Sequence, residues 1–206
     1  MLGSVVHQTL RKLYADLQSS ELGSLSKILE FYDEEWNATL TPSIRVVRAR
    51  TTARDYLESG RKMVSRYYKR FSPFNQVTTI GLELEISFPL AEADSYQGVI
   101  DRISSTSEGR VEIHDYKTAR RLPSLDQVRN DTQLALYEVA IRHQWPDTKD
   151  VSLVWHYLAH EREIQDTKTP DQLEAARQYA LGVIAKIESA SSFPTSVSPL
   201  CDWCEY

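Results

Sequence analysis

The sequence predicts an α/β protein, a single domain over 1–206 in which helices and a sheet share one core. Apolar residues recur at helical spacing through about residue 72, alternate with polar ones from about 77 to 118, and then return to helical spacing. At 206 residues and 41% hydrophobic, the chain is long enough to bury a substantial core and is not disordered. Three stretches follow from the pattern: a helical portion over 1–72, an α/β core over 73–190, and a cysteine-containing tail over 191–206.

In the first helix, about residues 3 to 18, Val6, Leu10, Leu13 and Leu17 form a buried stripe with His7 at its flank. Gly3 lies one turn before His7, where a missing side chain lets another backbone approach closely. A second helix carries Leu25, Ile28, Leu29, Tyr32 and Trp36 and ends before Thr41-Pro42. A third starts at Thr52, with Asp55 completing a capping box, and runs through Met63, Val64, Tyr67, Tyr68 and Phe71. Its basic face, Arg61, Lys62, Arg66, Lys69 and Arg70, reads either as a track for a phosphate backbone or, more simply, as a solvated face over an aromatic core.

After Ser72-Pro73 the period changes to two. VTTIGLELEISFPL, YQGVIDRIS and RVEIHDYKT read as three strands, the last two joined by a turn over Ser105 to Gly109. Ser124 and Gln127 open a helix in which Gln133 and Tyr137 lie one turn apart on a single face. VSLVWHYL reads as a buried strand with EREIQDTK as its partner. Thr169, Pro170 and Gln172 start a last helix with an apolar stripe of Leu173, Ala176, Ala180, Val183, Ile184 and Ile187.

Lysines and arginines number 24 against 29 acids, and 24 − 29 gives a net charge of −5, so whole-chain charge does not point to nucleic acid. A local basic groove is compatible with that balance. No apolar run reaches ~18 residues and no signal peptide is visible, so the expected location is intracellular, in the cytoplasm, with no membrane partner. The two cysteines, Cys201 and Cys204, have CxxC spacing and do not describe a disulfide framework.

The chemistry gathers between Gly98 and Thr118. Asp101 interrupts the apolar run Val99-Ile100 and Ile103, while Asp115 follows Ile113 and shares a strand face with Lys117. Buried carboxylates require partners or metals. Two acids and an ammonium converging on a sheet suit Mg²⁺ or Mn²⁺ and phosphoryl transfer, the lysine orienting the attacking water or offsetting charge in the transition state. Glu85 on the preceding strand could join them, and Glu83 projects to the same face by the period of two. Taken alone, each feature has a plainer reading: DxK as an exposed charge pair, His7 as a hydrogen-bonded core histidine, Gln133 and Tyr137 as helix surface.

Together these residues resemble the RecB-like branch of the PD-(D/E)XK nuclease superfamily, which includes AddAB-type nucleases and CRISPR-associated adaptation exonucleases. The family's G-x-x-x-H is GSVVH, its acid-x-x-aromatic strand is Glu85 to Phe88, its G-x-I-D-R is GVIDR, its D-Y-K-T is present verbatim, and its Q-x-x-x-Y is Gln133 to Tyr137. The resemblance implies a restriction-endonuclease-like mixed sheet flanked by helices. It implies metal ligation by His7, Asp101, Asp115 and the Tyr116 carbonyl, and catalytic roles for Glu85, Asp101, Asp115 and Lys117. Gln133 and Tyr137 would contact DNA.

The implied function is a metal-dependent DNA nuclease, an exonuclease in repair, recombination or CRISPR-type processing, with DNA and a helicase or similar protein as partners. The rival reading is a DNA-binding or assembly module that keeps the fold without cutting. Many relatives carry a four-cysteine iron-sulfur cluster. Cys201, Cys204 and Tyr206 match only the start of the C-terminal segment that holds three of those cysteines, so a truncated domain with a half-site is expected, and a cluster only where a longer chain supplies the missing cysteines.

Overall fold

The computed structural model describes residues 1–46, 48–91, 94–198 and 201. Helices α1 (Leu2–Gln18), α2 (Leu25–Thr39) and α3 (Ala53–Phe71) come first, then strands β1 (Thr78–Pro89), β2 (Ser95–Ser105) and β3 (Val111–Lys117). The remainder is α4 (Leu125–Arg129), α5 (Thr132–Gln144), β4 (Val151–Tyr157), β5 (Arg162–Asp166) and α6 (Pro170–Glu188). Capping boxes form at Thr52 with Asp55, Ser124 with Gln127, and Thr169 with Gln172.

The helix expected to run on from Ser124 is divided. Asn130 closes α4, and Asp131 caps a separate α5 by accepting a hydrogen bond from the Leu134 N–H. Both side chains compete for nearby backbone groups, which favours a cap over a continuous helix.

The five strands form one mixed sheet in the order β1-β2-β3-β4-β5, antiparallel throughout except for the parallel β3–β4 pair. A parallel step needs a crossover of a dozen or more residues, and α4 and α5 supply it. Helices α1 to α3 cover one face, where Leu10, Leu13, Tyr32, Trp36, Val64 and Tyr67 pack with Tyr116 of β3. Helix α5, with α6 behind it, covers the other, where Leu134 and Ile141 meet Ile100, Ile113, Leu153 and Trp155. Strand β4 is buried along its whole length because both of its faces are covered.

Two sequence expectations change. On α6, Leu173, Ala176, Ala180 and Ile184 pack inward, while Val183 and Ile187 are exposed, since the helix packs chiefly against α5 and needs only one narrow stripe. On α3, the tyrosines between the basic residues do not form an outer platform. Tyr67 lies in the core and Tyr68 donates to the Gly23 carbonyl. Three of the cations are tied to acidic neighbours: Arg61 to Asp33, Arg66 to the Glu161 carboxylate, and Arg70 to the Glu161 carbonyl.

Candidate active site

The site forms where two strands part. Strands β2 and β3 pair from Ser105 and Val111 as far as Arg102 and His114, and Asp101 and Asp115 lie one residue beyond. There the Asp101 carboxylate replaces the ladder: its Oδ2 accepts the Tyr116 N–H at 2.8 Å. A local irregularity in β1 and β2 aims the acids. Leu82 packs toward α1 to α3 and Leu84 toward α5, although a regular strand would put both on one face. Between them Glu83 adopts φ 45°, and on β2 Ile100 faces α5 while Arg102 reaches the Tyr14 ring on the other side. The register sets Leu82 against Arg102 and Leu84 against Ile100, so Glu83 and Asp101 face each other at this switch. A left-handed backbone on a glutamate costs on the order of 1–3 kcal/mol, which the surrounding contacts must hold in place.

Helix α1 brings His7 to the same point. Its Nδ1 lies 3.2 Å from Asp101 Oδ1 and its Nε2 donates to the Tyr116 carbonyl at 2.8 Å. With oxygen acceptors at both ring nitrogens, the protonated ring is favoured: burial works against the charge, and the Asp101 and Tyr116 contacts outweigh it, raising the pKa. The spacing of Gly3 from His7 has a specific contact, since a Cβ at Gly3 would lie 3.4 Å from Thr118 Oγ1; the near neighbour is a side chain rather than the expected backbone. The Tyr116 carbonyl is held from behind, because the Tyr116 hydroxyl accepts from Arg102 Nε at 2.9 Å and lies 3.3 Å from the Tyr67 hydroxyl.

On the other side of Tyr116, Lys117 Nζ lies 2.8 Å from Asp115 Oδ2 and 3.1 Å from Oδ1, and donates to Gln133 Oε1 at 3.2 Å. Gln133 Nε2 donates in turn to the Tyr137 hydroxyl at 2.9 Å. Asp115 is only 6% exposed. Burial pushes its carboxyl up to about 6; Lys117 opposes that shift, and the charges of Asp101 and Asp131 add to it. Burial works against the Lys117 charge, yet the acids around it hold its pKa above the ordinary value.

The structure therefore brings together His7, Asp101, Asp115, the Tyr116 carbonyl, Lys117, Gln133 and Tyr137. Of the two glutamates weighed on β1, Glu83 joins His7 and Asp101, with one ligand atom from each within 4.8 Å of the others. Burial raises the Glu83 pKa, with the Asp101 charge adding to it. Glu85 is exposed opposite Val99 and lies outside that group. Cys201 is exposed and free, and Cys204 and Tyr206 lie outside the described residues.

The sequence model of the PD-(D/E)XK nuclease superfamily matches residues 1–206. The chain belongs to this superfamily. Among curated proteins none matches the sequence. A solved structure from Eubacterium rectale, described provisionally as an exonuclease, is similar over 93% of this chain and 77% of its own, at 13% identity and a TM-score of 0.46.

The residues of this PD-(D/E)XK chain fit a divalent cation. Asp115 Oδ2 is buried without a hydrogen bond of acceptable geometry despite the ammonium nearby, and the Glu83 and Asp101 carboxylates crowd the His7 imidazole, an oxygen-rich set of the kind Mg²⁺ and Mn²⁺ take. One positioning residue escaped the sequence reading. Asp131 Oδ2 accepts from the Trp155 indole at 3.2 Å while Oδ1 caps α5, and its charge bears on Asp115 and Lys117. Its local signal was an aspartate three residues before the Leu134 amide it caps.

Proposed function

We propose that this protein hydrolyses DNA phosphodiester bonds with Mg²⁺ or Mn²⁺. The observation that carries the reading is the pair of clusters on either side of Tyr116: His7 from α1 with Glu83 and Asp101 from the β1–β2 switch, and Asp115 with Lys117 from β3. His7, Asp101, Asp115 and the Tyr116 carbonyl would hold the metal, with Glu83 beside them. A bound divalent ion supplies charge stabilisation at the phosphate and lowers the pKa of a water. Lys117 donates to the attacking water or to the phosphate oxygens and offsets the charge that grows there. Asp115 fixes the ammonium from one side, and the buried Tyr116 side chain keeps the carbonyl in place.

Action at DNA ends, a setting in repair, recombination or CRISPR-type processing, an intracellular location and a helicase-like partner are part of the same proposal. All but the location rest on the RecB-like motif set. Among the described residues no helix is long and apolar enough to cross a membrane.

The test is digestion of labelled single- and double-stranded DNA with Mn²⁺, run beside Asp115→Ala and Lys117→Ala. Loss in both is expected, and unchanged activity in both would place the chemistry elsewhere. Calorimetry separates a nuclease from a non-cutting binding module: Mn²⁺ should bind, and should bind much more weakly to Asp101→Ala.

A further inference from the structure

We infer that Gln133, locked by Tyr137, is a positioning residue for the Lys117 ammonium and not a contact to DNA. The inference rests on the catalytic role proposed for Lys117. An ammonium has three hydrogens and no acceptor. Two of its directions are taken by Asp115 and Gln133, so the third is aimed. The amide can serve only with its oxygen toward Lys117, since a flipped amide would set NH₂ against NH₃⁺. The donor-only ammonium selects that orientation, and the Tyr137 hydroxyl holds the side chain in place by accepting the Gln133 Nε2–H at 2.9 Å.

Tyr137 cannot also serve as a platform for a base. It is 6% exposed, and its ring fills the space a side chain at position 98 would need: a Cβ on Gly98 would lie 2.7 Å from Tyr137 Cε1 and 3.2 Å from Tyr96 Cε1. The glycine of GVIDR and the tyrosine of the α5 motif are thus two halves of one contact. Gln133 itself sits in the first turn of α5, which Asp131 pins by capping the helix and accepting from the fully buried Trp155, the β4 residue paired with Asp115. The amide is therefore carried on a rigid element referenced to the strand that holds the acid.

Tyr137→Phe keeps the ring and removes the acceptor, Gln133→Ala removes the amide, and Gln133→Glu keeps an acceptor for the ammonium. Single-turnover cleavage at saturating oligonucleotide with Mn²⁺ should fall about tenfold to a hundredfold in the first two and recover in the third. The Kd for the same oligonucleotide in Ca²⁺ should stay within about twofold of wild type. A weakened Kd with an unchanged saturating rate would overturn the inference in favour of a DNA contact. In parallel, the acylation rate of Lys117 in metal-free protein, read by mass spectrometry against Lys186, should rise in Tyr137→Phe and Gln133→Ala. An unchanged Lys117 rate in both would overturn the inference even if the wild type does not cut DNA, so the two failures are distinguishable.

Discussion

Asp115 is the residue on which stability and function oppose each other. Its folded-state carboxyl titrates at about 6 against roughly 4 in an unfolded chain. Between those values the folded protein keeps a proton that the unfolded chain has released, so stability falls as pH rises toward the folded value and stays lower above it. His7 acts with the same sign: its raised pKa gives stability that is full below about 6.5 and lost as pH climbs past the folded value. Metal-free Asp115→Asn should therefore be more stable than wild type at pH 8, by up to about 2–3 kcal/mol, and nearly equal to it at pH 3.5. Thermal melts at the two pH values check this; a variant less stable at pH 8 would mean that the Lys117 pair outweighs burial. Because a cation must displace the protons of both Asp115 and His7, Mn²⁺ affinity should rise with pH through about 6 and level off once both are deprotonated. Calorimetry in buffers of different ionisation enthalpy would count the protons released.

At the scale of elements, the helical layer depends on one close crossing. A Cβ at Gly60 would overlap the Tyr32 hydroxyl and lie 2.9 Å from Leu2, so α2, α3 and the start of α1 meet over a residue without a side chain. In an exposed helix Gly→Ala gains up to about 1 kcal/mol. Here the sign reverses: Gly60→Ala should destabilise by roughly 1–3 kcal/mol through overpacking, measurable as a lower denaturant midpoint at unchanged slope. The α5 N-terminus is a second such joint. Asp131→Ala removes the cap and the Trp155 partner together and should cost about 1–2 kcal/mol, while Asp131→Asn, which keeps a capping oxygen, should cost less. Equal losses in both variants would assign the effect to the charge.

Across the whole molecule, one sheet separates two cores yet ties them together. The α1–α3 core includes Tyr116 and the α5–α6 core includes Ile113, three residues apart on β3. Neither layer can leave without exposing the other's strand. Leu13→Ala, in the α1–α3 core, should cost about 2–5 kcal/mol, and native-state hydrogen exchange should show that loss in the amides of β4 as fully as in α1. Undiminished protection in β4 would mean two units that open separately.

The local patterns determined much of this protein. Helical and two-residue periods placed the helices and strands, and three capping boxes marked true helix starts, because these depend on neighbours along the chain. The DYKT and GVIDR stretches marked Asp101, Asp115 and Lys117 as candidates because an acid inside an apolar strand is legible without coordinates. The tertiary structure alone decided the rest. That Glu83 rather than Glu85 lies beside His7 and Asp101 follows from a left-handed residue that makes β1 change face, which a fixed period of two cannot express. Asp131 was hidden because its partners, Trp155 and the charges of Asp115 and Lys117, are distant in sequence and adjacent only once β3 and β4 pair. The Gly98 contact with Tyr137 likewise exists only when α5 lies across the sheet. Periodicity reports which side of its own element a residue takes, and only packing reports what waits on that side.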